Sequence, residues 1–260
     1  MNSPPHILIT GASSGIGAAL AKRFAVPGVR LSLTARHRER LDNVLQACQA
    51  RGAETTGGVC DVREADALRS FVEEVDRQQP ITMVIANAGV GGERVIAGAS
   101  GERAEVAQEI FETNVLGVAN TIIPLLPRFL ARSEGHVVIM SSLAAFVGLP
   151  EAPVYSASKA AVRVYGQALQ RLLSPQNIRV TVVCPGFVDT PMSASLPGPR
   201  PFLWSAERAA NRIVTDLALG RREINFPWPL STLSKLSGHL PPSIVRRLRQ
   251  RIRNRSHEPA

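Results

Sequence analysis

Tyr155 and Lys159 stand four residues apart in Tyr155-Ser156-Ala157-Ser158-Lys159. On a helix that spacing stacks a phenol and an ammonium on one face, one turn apart. A phenol titrates near ~10, too high to exchange protons readily at neutral pH. A fixed cation favours the phenolate: at roughly 5 Å and an effective dielectric of about 20 the attraction is about 3 kcal/mol, or about two pKa units. Such a pair is a candidate general acid/base. A solvated helix face carries the same pair by chance, so the chemistry needs support from the elements that would position it.

Those elements are legible as short β-branched runs alternating with longer helical patterns. Strands are expected at 6–10, 30–34, 54–59, 82–86, 136–140, 179–183 and 223–226, and helices near 16–26, 39–50, 64–78, 104–132, 155–173 and 206–217. The alternation predicts an α/β fold, a doubly wound parallel sheet (Rossmann fold), and runs such as Val137-Val138-Ile139 suit strands buried on both faces. The expected organisation is a single domain over 1–227 with a C-terminal helical extension over 228–260. Ligands in such folds sit at the carboxyl ends of the strands.

The first strand leads straight into Thr10-Gly11-Ala12-Ser13-Ser14-Gly15-Ile16-Gly17 and then a helix. Gly11 can make the tight turn, Gly15 admits a pyrophosphate close to backbone, and Gly17 permits close helix–strand packing. The helix N-terminus offers free N–H groups and a positive dipole end to phosphates. The second strand ends Leu33-Thr34-Ala35-Arg36-His37-Arg38. An acidic residue here would favour a free ribose 2′-hydroxyl. Ala35 and Arg36 instead suit a 2′-phosphate held by a guanidinium, with Arg38 or Arg40 adding charge. NADP(H) is therefore expected over NAD(H).

With these residues in order, the chain resembles the short-chain dehydrogenase/reductase family over roughly residues 5–227. Asp61-Val62 follows the third strand, Asn87-Ala88-Gly89 closes the fourth, and Asn114 lies in the long helix. Ser142 precedes Tyr155 by thirteen residues, and Pro185-Gly186, Val188 and Thr190 follow the sixth strand. The resemblance implies catalytic roles for Asn114, Ser142, Tyr155 and Lys159, with Ser141 as the alternative to Ser142. It implies a cofactor site built from Gly11, Ser13, Ser14, Gly15, Ile16, Gly17, Arg36, Asp61, Val62, Asn87, Ala88, Gly89, Tyr155, Lys159, Pro185, Gly186, Val188 and Thr190. The implied reaction is hydride transfer between nicotinamide and a ketone or secondary alcohol. The family is commonly dimeric or tetrameric, so a homo-oligomer is expected.

Substrate identity is less legible. Met192, Phe202, Leu203 and Trp204, after the sixth strand, are expected to line an apolar pocket with Phe146, Val147 and Leu149, and Gly91-Gly92 to leave open ground near the nicotinamide. An apolar ketone or alcohol is favoured over a sugar. The five histidines are scattered, so no metal is expected. Cys48, Cys60 and Cys184 form no CxxC and suit reduced thiols in a cytoplasmic setting. No leader pattern opens the chain, and no stretch is expected to reach the ~20 apolar residues of a membrane span.

The net charge of +9 is unevenly placed. From Arg221 onward nine basic residues face two acidic ones, so this segment carries +7 and the rest of the chain +2. That segment holds a helical stripe of Leu233, Leu236, Leu240, Ile244, Val245, Leu248 and Ile252, interrupted by Pro241-Pro242. It can pack on its own domain or a neighbouring subunit, or give peripheral contact with an anionic membrane through 228–255. Nucleic acid is not an expected partner. The functions that compete with a carbonyl reductase are a membrane-held fatty-acyl ketoreductase and a non-catalytic NADP(H) sensor.

Overall fold

The computed structural model describes residues 4–91, 103–194 and 199–237. Seven strands form one parallel sheet: β1 (His6–Thr10), β2 (Arg30–Ala35), β3 (Glu54–Val59), β4 (Met83–Ala86), β5 (Gly135–Met140), β6 (Ile178–Pro185) and β7 (Glu223–Phe226). Their order is β3-β2-β1-β4-β5-β6-β7, so the winding reverses between β1 and β4. A crevice opens at such a reversal, beyond the carboxyl ends of the strands.

Alternation within the strands feeds two cores. Ile7 and Ile9 of β1 face one side while Leu8 faces the other, and Val138 and Met140 of β5 oppose Val137 and Ile139. The first side is covered by α1 (Gly15–Phe24), α2 (Arg38–Gln49) and α9 (Ala206–Ala218). The second is covered by α3 (Ala65–Gln78), the Ala104–Arg132 stretch and α7 (Pro153–Leu173). Central strands β1 and β5 are buried along their whole length, as expected of strands with helices on both faces.

Three differences from the sequence reading bear on function. The 104–132 segment is not one regular helix. It runs as α4 (Ala104–Phe111), a π-helical turn Glu112–Leu116, α5 (Gly117–Ile122), a 3-10 turn Ile123–Leu125 and α6 (Leu126–Arg132). The stretch is also long and apolar enough, by length and composition, to cross a membrane, contrary to expectation. Here Val118, Ile122, Leu125 and Phe129 are spent on the core. Finally, β6 runs two residues past its expected end, to Pro185. A short α8 (Pro191–Ala194) follows it, and α10 (Trp228–Ser237) follows β7. The expected stripe residues Leu240, Ile244, Val245, Leu248 and Ile252 lie outside the described residues, as does Gly92.

One buried ion cluster joins the second layer to the sheet. The Asp76 carboxylate at the end of α3, 2% exposed, accepts from Arg132 (3.0 and 3.1 Å), Arg128 (3.1 Å) and the Ile81 amide (2.8 Å). Burial pushes this carboxyl up, but the Arg132 and Ile81 hydrogen bonds and the two guanidinium charges hold it below its ordinary value. A carboxyl lowered on folding stabilises above its unfolded pKa of ~4, and that stability fades as pH falls through the lower folded value. Asp76→Asn is expected to lose about 2–3 kcal/mol at pH 7 by urea unfolding. The gap from wild type should narrow below about pH 4; a gap independent of pH would show that charge is not what Asp76 contributes.

Candidate active site

The crevice at the winding reversal is a cleft of ≈ 650 Å³. One end is floored by the glycine turn. Gly11 (φ +66°) and Gly15 (φ +53°) take left-handed conformations that an L side chain resists. Gly17 is needed for space: a Cβ there would meet the Gly11 carbonyl oxygen at 2.3 Å and Asn87 Nδ2 at 2.5 Å. Asn87 ties the turn to β4 by donating from Nδ2 to the Thr10 and Gly11 carbonyls at 3.0 and 3.1 Å. Its backbone amide and that of Ala88 donate to Thr10 Oγ1. The N-cap of α1, Ser14, makes no side-chain cap bond, and no acidic residue occupies the first turn. Uncapped amides behind a cradle that any Cβ would fill suit a phosphate or pyrophosphate.

Ser13, Ile16, Arg36, Asp61, Val62, Ala88 and Gly89 line the same cleft, as do Val188 and Thr190 after β6. Arg36 Nη1 lies 3.9 Å from Asp61 Oδ2, and Arg63 holds that carboxylate at 2.7 and 3.0 Å. Burial raises the Asp61 carboxyl, but the Arg63 hydrogen bonds and the charges of Arg63 and Arg36 hold it below its ordinary value. Arg63 was not singled out by any motif; a cation two residues after Asp61 was the available signal. Thr190 crosses to the glycine turn, its Cγ2 lying 2.9 Å from where a Gly15 Cβ would be. Thr190 and Ser193 lock that loop by exchanging amide-to-hydroxyl hydrogen bonds at 3.2 Å.

The other end of the cleft gathers Ser142, Tyr155 and Lys159. The Ser142 hydroxyl draws the Tyr155 phenol toward ionisation, and its Oγ accepts from the Ala144 amide at 3.1 Å, capping the 3-10 turn Leu143–Ala145. Ser141 is committed elsewhere: its hydroxyl donates to the Lys159 carbonyl at 2.8 Å. Of the two serines, it is Ser142 whose hydroxyl acts on the Tyr155 phenol. Lys159, 4% exposed, donates to the Met140 carbonyl at 3.0 Å, with Nζ 5.8 Å from the Tyr155 ring centroid. Burial lowers its ammonium to about 8.

The tyrosine shifts against expectation. Burial pushes the Tyr155 phenol above its ordinary value and Cys184 adds to this, while the Ser142 hydrogen bond pulls the other way. Helical spacing stacked the pair as foreseen, but the ammonium is turned to the β5 carbonyl and desolvation of the phenolate outweighs its attraction.

Asn114 sits on the π-helical turn, fully buried. Its Oδ1 accepts from the Val90 amide at 2.8 Å, while Nδ2 donates to the Val90 carbonyl at 2.9 Å and to Ser158 Oγ at 3.1 Å. Ser158 in turn donates to the Tyr155 carbonyl at 2.7 Å. Asn114 thus pins the strand-end backbone and the first turn of α7 together. Its neighbour Thr113 also lines the cleft, with a buried hydroxyl lacking a partner among the described residues. Nothing in the sequence singled out Ser158 or Thr113. Gly91 backs the tyrosine: a Cβ there would meet the ring at 2.6 Å.

The expected apolar lining is partly corrected. Met192, Val147 and Leu149 line the cleft. Trp204 instead stacks on Phe226 at 4.9 Å and packs on the first core, while Phe202 and Leu203 are exposed. Phe146 lies behind the cleft against Leu143, Val182 and Cys184. Apolar side chains in one loop cannot all turn inward when a bridge between Val188 and Trp204 fixes which way the loop runs.

Known proteins carry the same frame. The sequence model described as short chain dehydrogenase matches residues 5–200. An uncharacterized oxidoreductase of Myxococcus xanthus is 35% identical over 247 residues, 95% of this chain and 96% of that one. A Streptomyces coelicolor protein provisionally named a ketoacyl reductase is 36% identical, covering 82% of this chain and 83% of its own. A solved short-chain dehydrogenase of Sphingobium yanoikuyae, in complex with NADPH, superposes with a TM-score of 0.78 at 26% identity, covering 86% of this chain and 88% of that one.

Gly17→Ala should weaken NADPH binding at least about tenfold by fluorescence titration, because the backbone oxygen it strikes cannot yield. Unchanged affinity would remove the phosphates from this turn.

Proposed function

The chain belongs to the short-chain dehydrogenase family of oxidoreductases acting on alcohols and ketones, and on that footing we propose that it is an NADP(H)-dependent carbonyl reductase or alcohol dehydrogenase for apolar substrates. The observation that carries the reading is the gathering of Ser142 and Tyr155 at one end of the cleft, with Lys159 buried beside them.

The residues that would hold the dinucleotide are those of the glycine turn with α1 for its phosphates, Arg36 for a 2′-phosphate, Asp61 and Val62 for the adenine, and Thr190 with Lys159 for the nicotinamide half. When bound, the nicotinamide supplies hydride to the carbonyl carbon or takes it from the alcohol. The protein's part is the proton. A phenol raised by burial is protonated at neutral pH and donates to the carbonyl oxygen in the reducing direction. The Ser142 hydroxyl hydrogen-bonds the same oxygen and keeps it within reach of the phenol. The Lys159 ammonium favours the phenolate left behind. Asn114 acts as a positioning residue, holding Val90 and the first turn of α7 at fixed separation.

The NADP(H) preference is supported by Ala35 and Arg36 where a carboxylate would select a free 2′-hydroxyl. Arg36 is not consumed by a close ion pair, since 3.9 Å to Asp61 leaves its guanidinium available. The complete set of Ser142, Tyr155 and Lys159 argues against a sensor that only binds the dinucleotide.

Tyr155→Phe should keep NADPH affinity and lose about 10²–10⁴-fold in kcat with a ketone panel; near-wild-type turnover would take the acid/base role away from Tyr155. Arg36→Ala should raise KM for NADPH at least about tenfold more than KM for NADH. Equal effects on the two would show that Arg36 does not meet the 2′-phosphate.

A further inference from the structure

Helix α10 follows the last strand and returns to the site. Its Leu230 and Ser234 line the cleft. Leu230 packs on Leu143, next in sequence to Ser142, and its Cδ2 lies 3.0 Å from where a Gly186 Cβ would be. No larger residue at 186 would admit Leu230 this close to the proton-donating end. The wall there is apolar, made by Leu143, Val147, Leu149 and Leu230.

The helix is fastened by a charge cluster that the reaction itself does not use. Glu223 on β7 accepts from Arg163 of α7 at 3.0 Å and from Lys235 of α10 at 3.1 Å, with Asn225 donating to the same carboxylate at 2.8 Å. Both cations also lie over one ring: the Arg163 guanidinium is 4.1 Å from the Phe146 centroid and Lys235 Nζ 5.3 Å. Burial raises the Glu223 carboxyl, yet its hydrogen bonds from Asn225 and Lys235 and the Arg163 charge keep it below the ordinary value, so it stays ionised. Several charges sharing one partly buried carboxylate and one ring hold geometry better than an isolated surface pair. Phe146, like Leu230, packs on the Leu143, Val182 and Cys184 cluster, so the fastened ring and the wall share one support.

We propose that α10 is the end wall of the substrate part of the cleft, that Leu230 sets the size of the ketone admitted beside Tyr155, and that Lys235, through Glu223 and Phe146, is the positioning residue that holds this wall. The assignment rests on the carbonyl-reducing reading above and gives it a substrate class: apolar alkyl or aryl ketones limited in bulk on the Leu230 side.

Two readouts separate this from the parent reading. The first is kcat/KM of the full chain with NADPH across butanone, 2-octanone, acetophenone and butyrophenone. The second is calorimetric binding of the non-reducible isosteres propanamide, octanamide and benzamide to the NADPH-loaded protein. Leu230→Ala should shift the bulky-to-small kcat/KM ratio at least about tenfold toward butyrophenone, and Leu230→Trp should shift it the other way. The amide affinities should follow the same order. Lys235→Met should move the ratio in the direction of Leu230→Ala, and Lys235→Arg should restore it, whatever either does to thermal stability. Turnover of ketones with ratios unmoved by both Leu230 variants would overturn the wall and leave the reductase reading standing. Amide selectivity that follows Leu230 without any ketone turnover would keep the wall and overturn the reductase reading. Amide and ketone profiles that ignore both Leu230 and Lys235 would overturn the proposal outright.

Discussion

A lysine ammonium buried at the carboxyl end of β5 is the constraint around which the site is arranged. Taking a charge out of water is costly unless donors and acceptors replace the solvent. The Met140 carbonyl supplies one acceptor for Lys159 Nζ, and the Ser141 hydroxyl binds the lysine's own carbonyl, so α7 is tied to β5 at two points. Residual desolvation shows in the ammonium, lowered to about 8. Tyr155 follows one turn earlier on the same helix, so fixing Lys159 also fixes where the phenol stands.

That arrangement would drift without a second tether. It comes from Asn114, whose amide closes on both polar groups of the Val90 backbone and reaches Ser158. A π-helical turn places it: one extra residue in the turn displaces Asn114 from the ordinary helical face, and such turns recur at functional sites. Close packing without side chains does the rest, with Gly91 against the phenol ring and Gly17 against the glycine turn.

Sequence made much of this visible because the fold obeys strong periodic rules. The parallel sheet was legible in runs buried on both faces, and β1, β3 and β7 begin and end where β-branched runs and turn residues placed them. Glycines at strand-to-helix spacing mark the tight turn after β1, because Gly11 and Gly15 take left-handed conformations and Gly17 has no room for a Cβ. The π turn was invisible, since a 3.6-residue stripe through 104–132 looks the same with or without one extra residue. The direction of the Tyr155 shift does not follow from spacing, which reports proximity and not burial. Composition places Trp204 and Phe202 in the pocket but cannot say which face of a loop turns inward. Contacts made by backbone atoms, such as Met140 to Lys159, leave no mark in side-chain chemistry at all.

Burial of Lys159 can be measured directly because the chain holds only three lysines, Lys22, Lys159 and Lys235. Carbon NMR of ε-labelled lysine, followed from pH 6 to 12 on the full chain, resolves each titration separately. One resonance, identified by its absence in Lys159→Met, should titrate near pH 8, well under the 10.5 of an ordinary lysine. If the Lys159 signal titrates at 10.5 or above, the ammonium is not desolvated at the end of β5, and the site is not built around it.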